Sequence, residues 1–458
     1  MTMSPLWDVV VDFDTFVFSS SGSDPQRPVL VAIVQYNCDV SSPAEKIRLL
    51  HFADVHLGVE THGKFNPETG LNTRLEDFKN SLDQGISLAL EADVDLAIFA
   101  GDAYKARDPS QTHQKLFAGS LQRLTRANIP VVMLVGNHDI PNTRGRAHAL
   151  EIYDVLGGAG VQILSRPELV TVCTRRGDVL VGGMPYLPRA RVLTQDETKN
   201  KTVEEIAQLI RDRYIEYIAT LARQCAEQPE HIAILTAHFT VADSRVGVQG
   251  VLLNAAEPQV PVSALALPQF DYVALGHIHK RQDCNNRRQP PVVYCGSIDR
   301  LDFGEKDENK GIVLADISKQ NAEYRYVDVA VRNFLEIAID ASDAEDPTEK
   351  ILTELAKRPL KDAVVKLSYK VPREKAPLVR EDELRKALLE AHSVVAISRD
   401  LPGQTLTTRA EGMTEQLTPE QALTLYLDTR RPDLAPLRED FMAAARRLMD
   451  ELRQEALA

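Results

Sequence analysis

Five short motifs rich in aspartate, histidine and asparagine occur in order along the sequence. They are Asp54-Val55-His56, Gly101-Asp102, Gly136-Asn137-His138-Asp139, His238 and Gly276-His277-Ile278-His279. Carboxylate, imidazole and amide oxygen together suit divalent ions such as manganese, iron or zinc. Side chains two residues apart in an extended segment can face one cavity, as in Asp-x-His and His-x-His. The combination therefore predicts a metal site, although each motif taken alone is more often structural.

Each motif follows a short apolar run that is typical of a buried β-strand. These runs are Ile47–Phe52, Leu96–Ala100, Val131–Val135, Ile232–Ala237 and Tyr272–Leu275, and further strands are predicted at Val179–Gly182, Val292–Tyr294 and Ile312–Ala315. A helix with a capping box at Thr73-x-x-Glu76 is predicted between the first two strands. Because open α/β sheets bind ligands beyond the carboxyl ends of their strands, we expect the five motifs to converge there. Glycines before Asp102, Asn137 and His277 should let the backbone turn sharply and bring the ligands close together.

The length of 458 residues predicts two or three domains. Residues 1–45 contain six acidic residues and one arginine, and we interpret them as an appended, poorly ordered extension. Residues 46–330 alternate strands and amphipathic helices, as in a layered α/β domain. Residues 331–405 predict a compact β-α-β-α-β unit, and residues 406–458 a linker with C-terminal helices.

Composition limits the classes of function. The chain is 44% hydrophobic and has no apolar stretch near the ~20 residues that span a bilayer. A formal net charge of -13 argues against a protein that coats nucleic acid through bulk basicity. Five scattered cysteines without a CxxC pair favour reduced thiols. With no signal-peptide pattern at the N-terminus, we expect a cytoplasmic protein.

The order of the motifs resembles that of the calcineurin-like metallophosphoesterases. Four segments are similar to their DNA-repair branch, the SbcD and Mre11 type of nuclease: Tyr272–Lys280, Tyr294–Ser297, Asp302–Glu305 and Lys310-Gly311. The resemblance implies an α/β fold, with a layered β-sandwich flanked by helices, a small α/β capping domain and a C-terminal helical tail. It is strong over residues 46–330, and residues 1–45 have no recognised counterpart.

The same resemblance implies two divalent metal ions, most simply Mn²⁺, with Fe²⁺, Zn²⁺ or Mg²⁺ as alternatives. It assigns one ion to Asp54, His56, Asp102 and His279, and the other to Asp102, Asn137, His238 and His277. Asp102 would then bridge both ions. Two cations about 3.5–4 Å apart can neutralise the transition state of phosphodiester hydrolysis and activate a water molecule.

Three further roles are expected beside the metals. His138 would stabilise the transition state or protonate the leaving 3′ oxygen, and Asp139 would orient His138. Related nucleases often carry histidine or aspartate three residues after the bridging aspartate, where this chain has Lys105. We expect Lys105 and Arg107 to face substrate phosphates, with solvated loop charges as the equal alternative.

The leading hypothesis is a two-metal DNA exonuclease and endonuclease that acts on DNA ends with a Rad50- or SbcC-like ATPase. The resemblance further implies 3′-to-5′ polarity, a homodimer within a heterotetramer, association with the nucleoid, and a tail that packs on the ATPase. One alternative is a phosphomonoesterase or cyclic-nucleotide phosphodiesterase. Another is a DNA-end scaffold without catalysis.

Overall fold

The computed structural model describes residues 42–141, 146–155, 160–245 and 258–400, together with residues 424, 427, 438–445 and 447. Its strands are β1 (Lys46–Phe52), β2 (Leu96–Phe99), β3 (Val131–Leu134), β4 (Val161–Leu164), β5 (Glu168–Thr174), β6 (Gly177–Met184), β7 (Ile232–His238), β8 (Tyr272–Gly276), β9 (Gln282–Asp283), β10 (Val292–Tyr294), β11 (Gly311–Ser318), β12 (Asn321–Asp328), β13 (Phe334–Asp340), β14 (Val364–Lys370) and β15 (Ser393–Asp400). The eight strands predicted between residues 46 and 330 are all present. The sequence analysis missed β4, β5, β9 and β12.

Two six-stranded sheets form the larger part of the structure. The first has the order β12-β11-β1-β2-β3-β4, and the second β5-β6-β7-β8-β10-β9. Strands β1 to β4 run parallel, as do β6, β7, β8 and β10. The motif-bearing strands of each sheet therefore end at a common edge.

The helices are α1 (Thr73–Glu91), α2 (Gln111–Arg126), α3 (Glu151–Val155), α4 (Arg189–Val192), α5 (Gln195–Thr198), α6 (Val203–Ala226), α7 (Pro347–Leu355) and α8 (Glu381–Ala387). The predicted capping box at the start of α1 is wrong. Asn72 caps this helix by accepting the backbone N–H of Arg74, whereas Glu76 binds the side chains of Asn66 and Thr69. A complete capping box is found instead at the start of α6, between Thr202 and Glu205.

Three apolar clusters define the layers. Alternate β1 residues point to opposite faces, as the pleat of a strand requires. Leu49 packs between the two sheets with Ile234 and Ala274. Leu50 packs on the outer face of the first sheet against Phe78 of α1, while α6 covers the outer face of the second. The predicted layered β-sandwich flanked by helices is confirmed.

The described residues form two compact units: 42–335 with 360–365 and 390–395, and 336–359 with 366–389 and the described residues from 396 onward. Strands β13, β14 and β15 form a three-stranded sheet in that order. Within the tail, residues 438–445 are helical. The rest of the tail, and most of the 1–45 extension, lie outside the described residues.

Cys225, Cys284 and Cys295 carry free thiols. Cys173 is disulfide-bonded, so the expectation of reduced thiols is wrong at this position. Spacing along the chain could not show this, because a disulfide needs proximity in the fold. Among the described residues, no helix is both long and apolar enough to cross a membrane.

Candidate dimetal site

The loops after β1 and β2 lie side by side and place the first two motifs together. The backbone N–H of Asp54 donates to the carbonyl of Gly101 at 2.9 Å, and that of His56 donates to the carbonyl of Asp102 at 3.1 Å. These bonds continue the pairing of the parallel strands beyond their ends. The spacing of Asp54, His56 and Asp102 is therefore fixed by backbone geometry.

Asp54, His56 and His279 form one group of metal-ligating side chains. One ligand atom from each residue lies within 4.8 Å of the others, and all three residues are buried. The Nε2 atoms of His56 and His279 are 2.9 Å apart. The second sheet thus delivers His279 to the ligands that the first sheet provides.

Asn137, His238 and His277 form the second group. The amide Oδ1 of Asn137 lies 3.1 Å from His238 Nε2 and 3.1 Å from His277 Nδ1. Asn137 and His277 follow β3 and β8, and His238 is the last residue of β7. As in the first group, the ligands come from both sheets.

Asp102 lies between the two groups. Its Oδ2 atom is 3.6 Å from His56 Nε2 and 3.4 Å from His238 Nε2, and its Oδ1 atom accepts the backbone N–H of His138 at 2.8 Å. One carboxylate oxygen therefore faces ligands of both groups. This is the position that a bridging carboxylate requires.

These residues fit two divalent ions. Neighbouring ligand atoms that each lie about 2.0–2.2 Å from one ion are about 3 Å from each other, and the separations of 2.9 to 3.6 Å agree. Asp54, Asp102 and Asp139 are all buried. Burial of three neighbouring carboxylates is costly without positive charge. Mixed oxygen and imidazole donors suit manganese, iron and zinc equally.

Two of the histidines donate from Nδ1, so Nε2 is the nitrogen that faces the other candidate ligands. His238 Nδ1 donates to the carbonyl of Ala100 at 2.7 Å, and His279 Nδ1 donates to the carboxylate of Glu305 at 2.8 Å. A carbonyl and a carboxylate only accept, so each contact fixes the tautomer. His56 differs, since its buried Nδ1 has no hydrogen-bond partner among the described residues.

Four of the seven candidate ligands have left-handed backbone conformations. The φ angles are 50° at Asp54, 46° at His56, 63° at Asp102 and 93° at His277. Non-glycine residues rarely adopt such angles, and they cluster at functional sites where the surrounding structure imposes them. Four candidate ligands therefore carry backbone strain, although nine other non-glycine residues among those described, such as Asp93 and Asn128, also have a positive φ.

The glycines of the motifs act as predicted. Gly101 has a φ of 98°. A Cβ at Gly136 would lie 2.2 Å from Asp102 Oδ1, and one at Gly276 would lie 2.1 Å from the carbonyl of Ala100. Gly101 supplies the turn, and the other two supply the close approach.

Electrostatics couples these groups. Burial raises the pKa of Asp54. Burial alone would lower the pKa of His238, but the adjacent Asp102 carboxylate outweighs it and raises that pKa to about 9. Burial and then Asp102 raise the pKa of Asp139 to about 7. The buried carboxylates therefore favour bound positive charge, which protons or metal cations can supply.

The predicted contact between Asp139 and His138 is wrong. The Asp139 carboxylate instead accepts three backbone N–H groups, from Asp102 at 2.9 Å, Ala103 at 3.0 Å and Gly136 at 2.9 Å. The turn after β3 directs this side chain inward, toward the peptide groups of two loops. Asp139 therefore fixes the loop that carries Asp102.

The ring of His138 is held by a backbone carbonyl. Its Nδ1 donates to the carbonyl of Lys105 at 3.0 Å, and its centroid lies 4.8 Å from that of His56. Nε2 is thus the nitrogen that can exchange a proton beside the first group of ligands. The side chains of Lys105 and Arg107 are exposed.

Sequence reasoning missed two residues that contact the site. Glu305 binds the ring of His279, and Lys310 binds Glu305 with 2.9 Å between Nζ and Oε2. Both lie in segments that carried the family resemblance, but no role was assigned to either. Their place in the segments that carried the family resemblance was the available signal.

The fold and the two groups of ligands define a dimetal phosphoesterase site. The family model of the calcineurin-like phosphoesterases matches residues 47–281, about half of the chain. The chain therefore belongs to the calcineurin-like phosphoesterase family, whose members are metal-dependent hydrolases.

The curated relatives that the chain matches are nuclease subunits and DNA repair proteins. It is 28% identical over 284 residues to SbcD of the SbcCD nuclease from Bacillus subtilis, covering 59% of this chain and 66% of that protein. It is 26% identical to the DNA double-strand break repair protein Mre11 of Thermoplasma acidophilum, covering 68% and 73%. It is 27% identical to SbcD of Escherichia coli, covering 60% and 66%. The chain thus spans about two thirds of these relatives.

Proposed function

We propose that this protein is a two-metal phosphodiesterase that cleaves DNA at ends, in double-strand-break repair and recombination. The observation that carries the proposal is the position of Asp102 Oδ2 between His56 and His238. That position allows one carboxylate to join two ions. DNA as the substrate is supported by the relatives, which are described as nucleases and DNA repair proteins.

The ions would be held as the motif order implies. The first set is Asp54, His56, Asp102 and His279, and the second is Asp102, Asn137, His238 and His277. When bound, two cations supply positive charge to the phosphate and lower the pKa of a water molecule. We infer Mn²⁺ as the ion, as the family resemblance implies, with Fe²⁺, Zn²⁺ or Mg²⁺ as the alternatives that the same donors allow.

His138 is the candidate for proton transfer. The Lys105 carbonyl occupies its Nδ1, so Nε2 remains to donate a proton to the leaving 3′ oxygen or to a phosphate oxygen. Asp139 supports this chemistry indirectly, since it holds the backbone of Asp102 in place. The role of His138 then depends on the orientation of its ring, which the backbone carbonyl of Lys105 fixes.

DNA would be held by more than bulk charge. Lys105 and Arg107 come shortly after Asp102 in the chain, and their exposed side chains can contact phosphates. Because the net charge is -13, bulk attraction to DNA phosphates cannot supply most of the binding. We infer that a partner, an SbcC- or Rad50-like ATPase, supplies it. Residues 331–405 would orient DNA as a capping domain, and residues 406–458 would bind the ATPase. We further propose that two copies of this chain form a homodimer within a heterotetramer with the ATPase, and that the complex associates with the nucleoid.

The test is cleavage of an end-labelled duplex by the purified chain in Mn²⁺, with and without its ATPase partner. We expect His138→Ala to lower the rate by about 10²- to 10⁴-fold, the usual contribution of a proton-transfer group. His231→Ala is the control, because it removes a histidine that lies outside the site. His231 precedes β7, at the opposite end of that strand from the candidate ligand His238. Equal activity of wild type and His138→Ala would contradict the assignment.

The same samples separate the alternatives. Turnover of p-nitrophenyl phosphate or a cyclic nucleotide without cleavage of DNA would indicate a small-substrate phosphoesterase. DNA binding without cleavage, and without bound manganese by elemental analysis, would indicate a scaffold.

A further inference from the structure

We propose that Glu305 and Lys310 are positioning residues that fix the imidazole of His279 and so set the affinity of the first metal ion. The inference rests on the metal site proposed above. It concerns two buried charged residues that contact no reacting group themselves.

The first step is the contact between Glu305 and His279. Glu305 Oε1 lies 2.8 Å from His279 Nδ1, and the ionised carboxylate can only accept. Nδ1 therefore carries the proton, and the lone pair is on Nε2, the atom that lies 2.9 Å from His56 Nε2. The carboxylate thus selects the tautomer that can bind an ion.

The second step is the contact between Lys310 and Glu305. Lys310 Nζ is 2.9 Å from Glu305 Oε2 and donates to the carbonyl of His279 at 3.3 Å. The backbone N–H of Leu301 also donates to Oε2, at 3.0 Å. One ammonium group therefore holds both the carboxylate and the backbone of the histidine that this carboxylate orients.

The third step is the free-energy cost of burying the charges of Lys310 and Glu305. Lys310 is 2% exposed and Glu305 is 5% exposed. Replacing a buried ion pair by apolar residues is often neutral or stabilising, so packing alone does not require this one. A carboxylate behind a metal-binding imidazole fixes the ring and raises its basicity. His238 has a carbonyl in the equivalent position, and His56 has no partner there among the described residues.

Glu308 provides a matched control. Its Oε2 lies 2.8 Å from Lys310 Nζ, as close as Glu305, whereas the carboxylate that binds His279 Nδ1 is that of Glu305. A loss caused by weakening Lys310 alone should therefore appear in both Glu305→Gln and Glu308→Gln. A loss caused by freeing the imidazole should appear only in variants of Glu305.

The experiment is calorimetric titration of the full chain with Mn²⁺, using wild type, Glu305→Ala, Glu305→Gln and Glu308→Gln. We expect Glu305→Ala to weaken one of two sites by about 10- to 100-fold, the usual effect of removing such a partner. Glu305→Gln should recover part of this affinity, because its amide oxygen can still accept from Nδ1. Glu308→Gln should bind both ions as wild type does.

A second readout needs no metal. Nitrogen NMR of ¹⁵N-histidine-labelled apoprotein should show His279 protonated at Nδ1 in wild type and Glu308→Gln, and a mixture of tautomers in Glu305→Ala. Folded Glu305→Ala with wild-type affinity and tautomer would overturn the inference, as would an equal loss in Glu308→Gln. If Glu305→Ala does not fold, Glu305→Gln decides, and a ring protonated at Nε2 with unchanged affinity refutes the inference. Wild type that binds two ions without cutting DNA would refute only the proposed function.

Discussion

The carboxylate of Asp54 accepts the backbone N–H of His277, with 3.0 Å between the nitrogen and each carboxylate oxygen. The contact joins the loop after β1 in the first sheet to the loop after β8 in the second. Asp54 belongs to the first group of ligands and His277 to the second. The two groups are therefore mechanically linked.

This link predicts different outcomes for two substitutions of Asp54. Asp54→Asn keeps an oxygen for the His277 N–H but loses the anionic ligand, so we expect the first ion to be lost and the second retained. Asp54→Ala removes both functions and should weaken the second site as well, leaving a partly buried N–H without its acceptor. Elemental analysis after dialysis against Mn²⁺ gives the stoichiometry. Identical stoichiometry in the two variants would show that the contact between Asp54 and His277 does not affect binding at the second site.

Asp139→Asn should destabilise the fold, because the side chain then has one acceptor oxygen for three backbone N–H groups. We expect a loss of about 1–3 kcal/mol in the free energy of unfolding for each orphaned N–H. The comparison is with Asp108→Asn, whose side chain is 81% exposed. Urea denaturation of both variants at pH 8 measures the difference. Equal midpoints would mean that the three bonds contribute little.

His51 predicts a dependence of stability on pH. The ring is buried, with Nε2 3.2 Å from the Leu275 carbonyl and Nδ1 3.1 Å from the Tyr272 hydroxyl, and burial lowers its pKa to about 3. Since the unfolded chain takes up the proton near pH 6.5, the His51 contribution is complete above that pH. It is lost as the pH falls from 6.5 toward 3, at up to about 1.4 kcal/mol per pH unit.

The measurement for His51 compares wild type with His51→Gln, in which the amide can still donate to Leu275. Urea midpoints between pH 4.5 and 7.5 should fall more steeply with acid in wild type than in the variant. Parallel curves would mean that His51 is not the responsible group.

Lys105→Ala should leave the chemical step intact, because the backbone carbonyl of Lys105, and not its side chain, holds His138. We expect kcat for bis-p-nitrophenyl phosphate to stay within about twofold of wild type, as for other exposed substitutions. The KM for DNA should rise, more so at low salt. A large fall in kcat on the small substrate would place the ammonium group in the chemistry.

The sequence by itself determined the types of the candidate ligands, their order and their positions at strand ends. These properties are local, since each motif directly follows its own strand, and parallel strands bring such ends to one edge of a sheet. The glycines were also predictable, because close approach of the backbone permits no other residue at Gly136 or Gly276.

Only the tertiary structure decided which groups support the ligands. The Asp139 carboxylate binds three backbone N–H groups and not the expected His138. Glu305 binds His279, although the two residues are 26 positions apart in the sequence. The Lys105 carbonyl, which every residue type possesses, took the place expected for a side chain. Such contacts depend on how loops pack and which donors they leave buried and unpaired, and residue type and spacing along the chain carry neither.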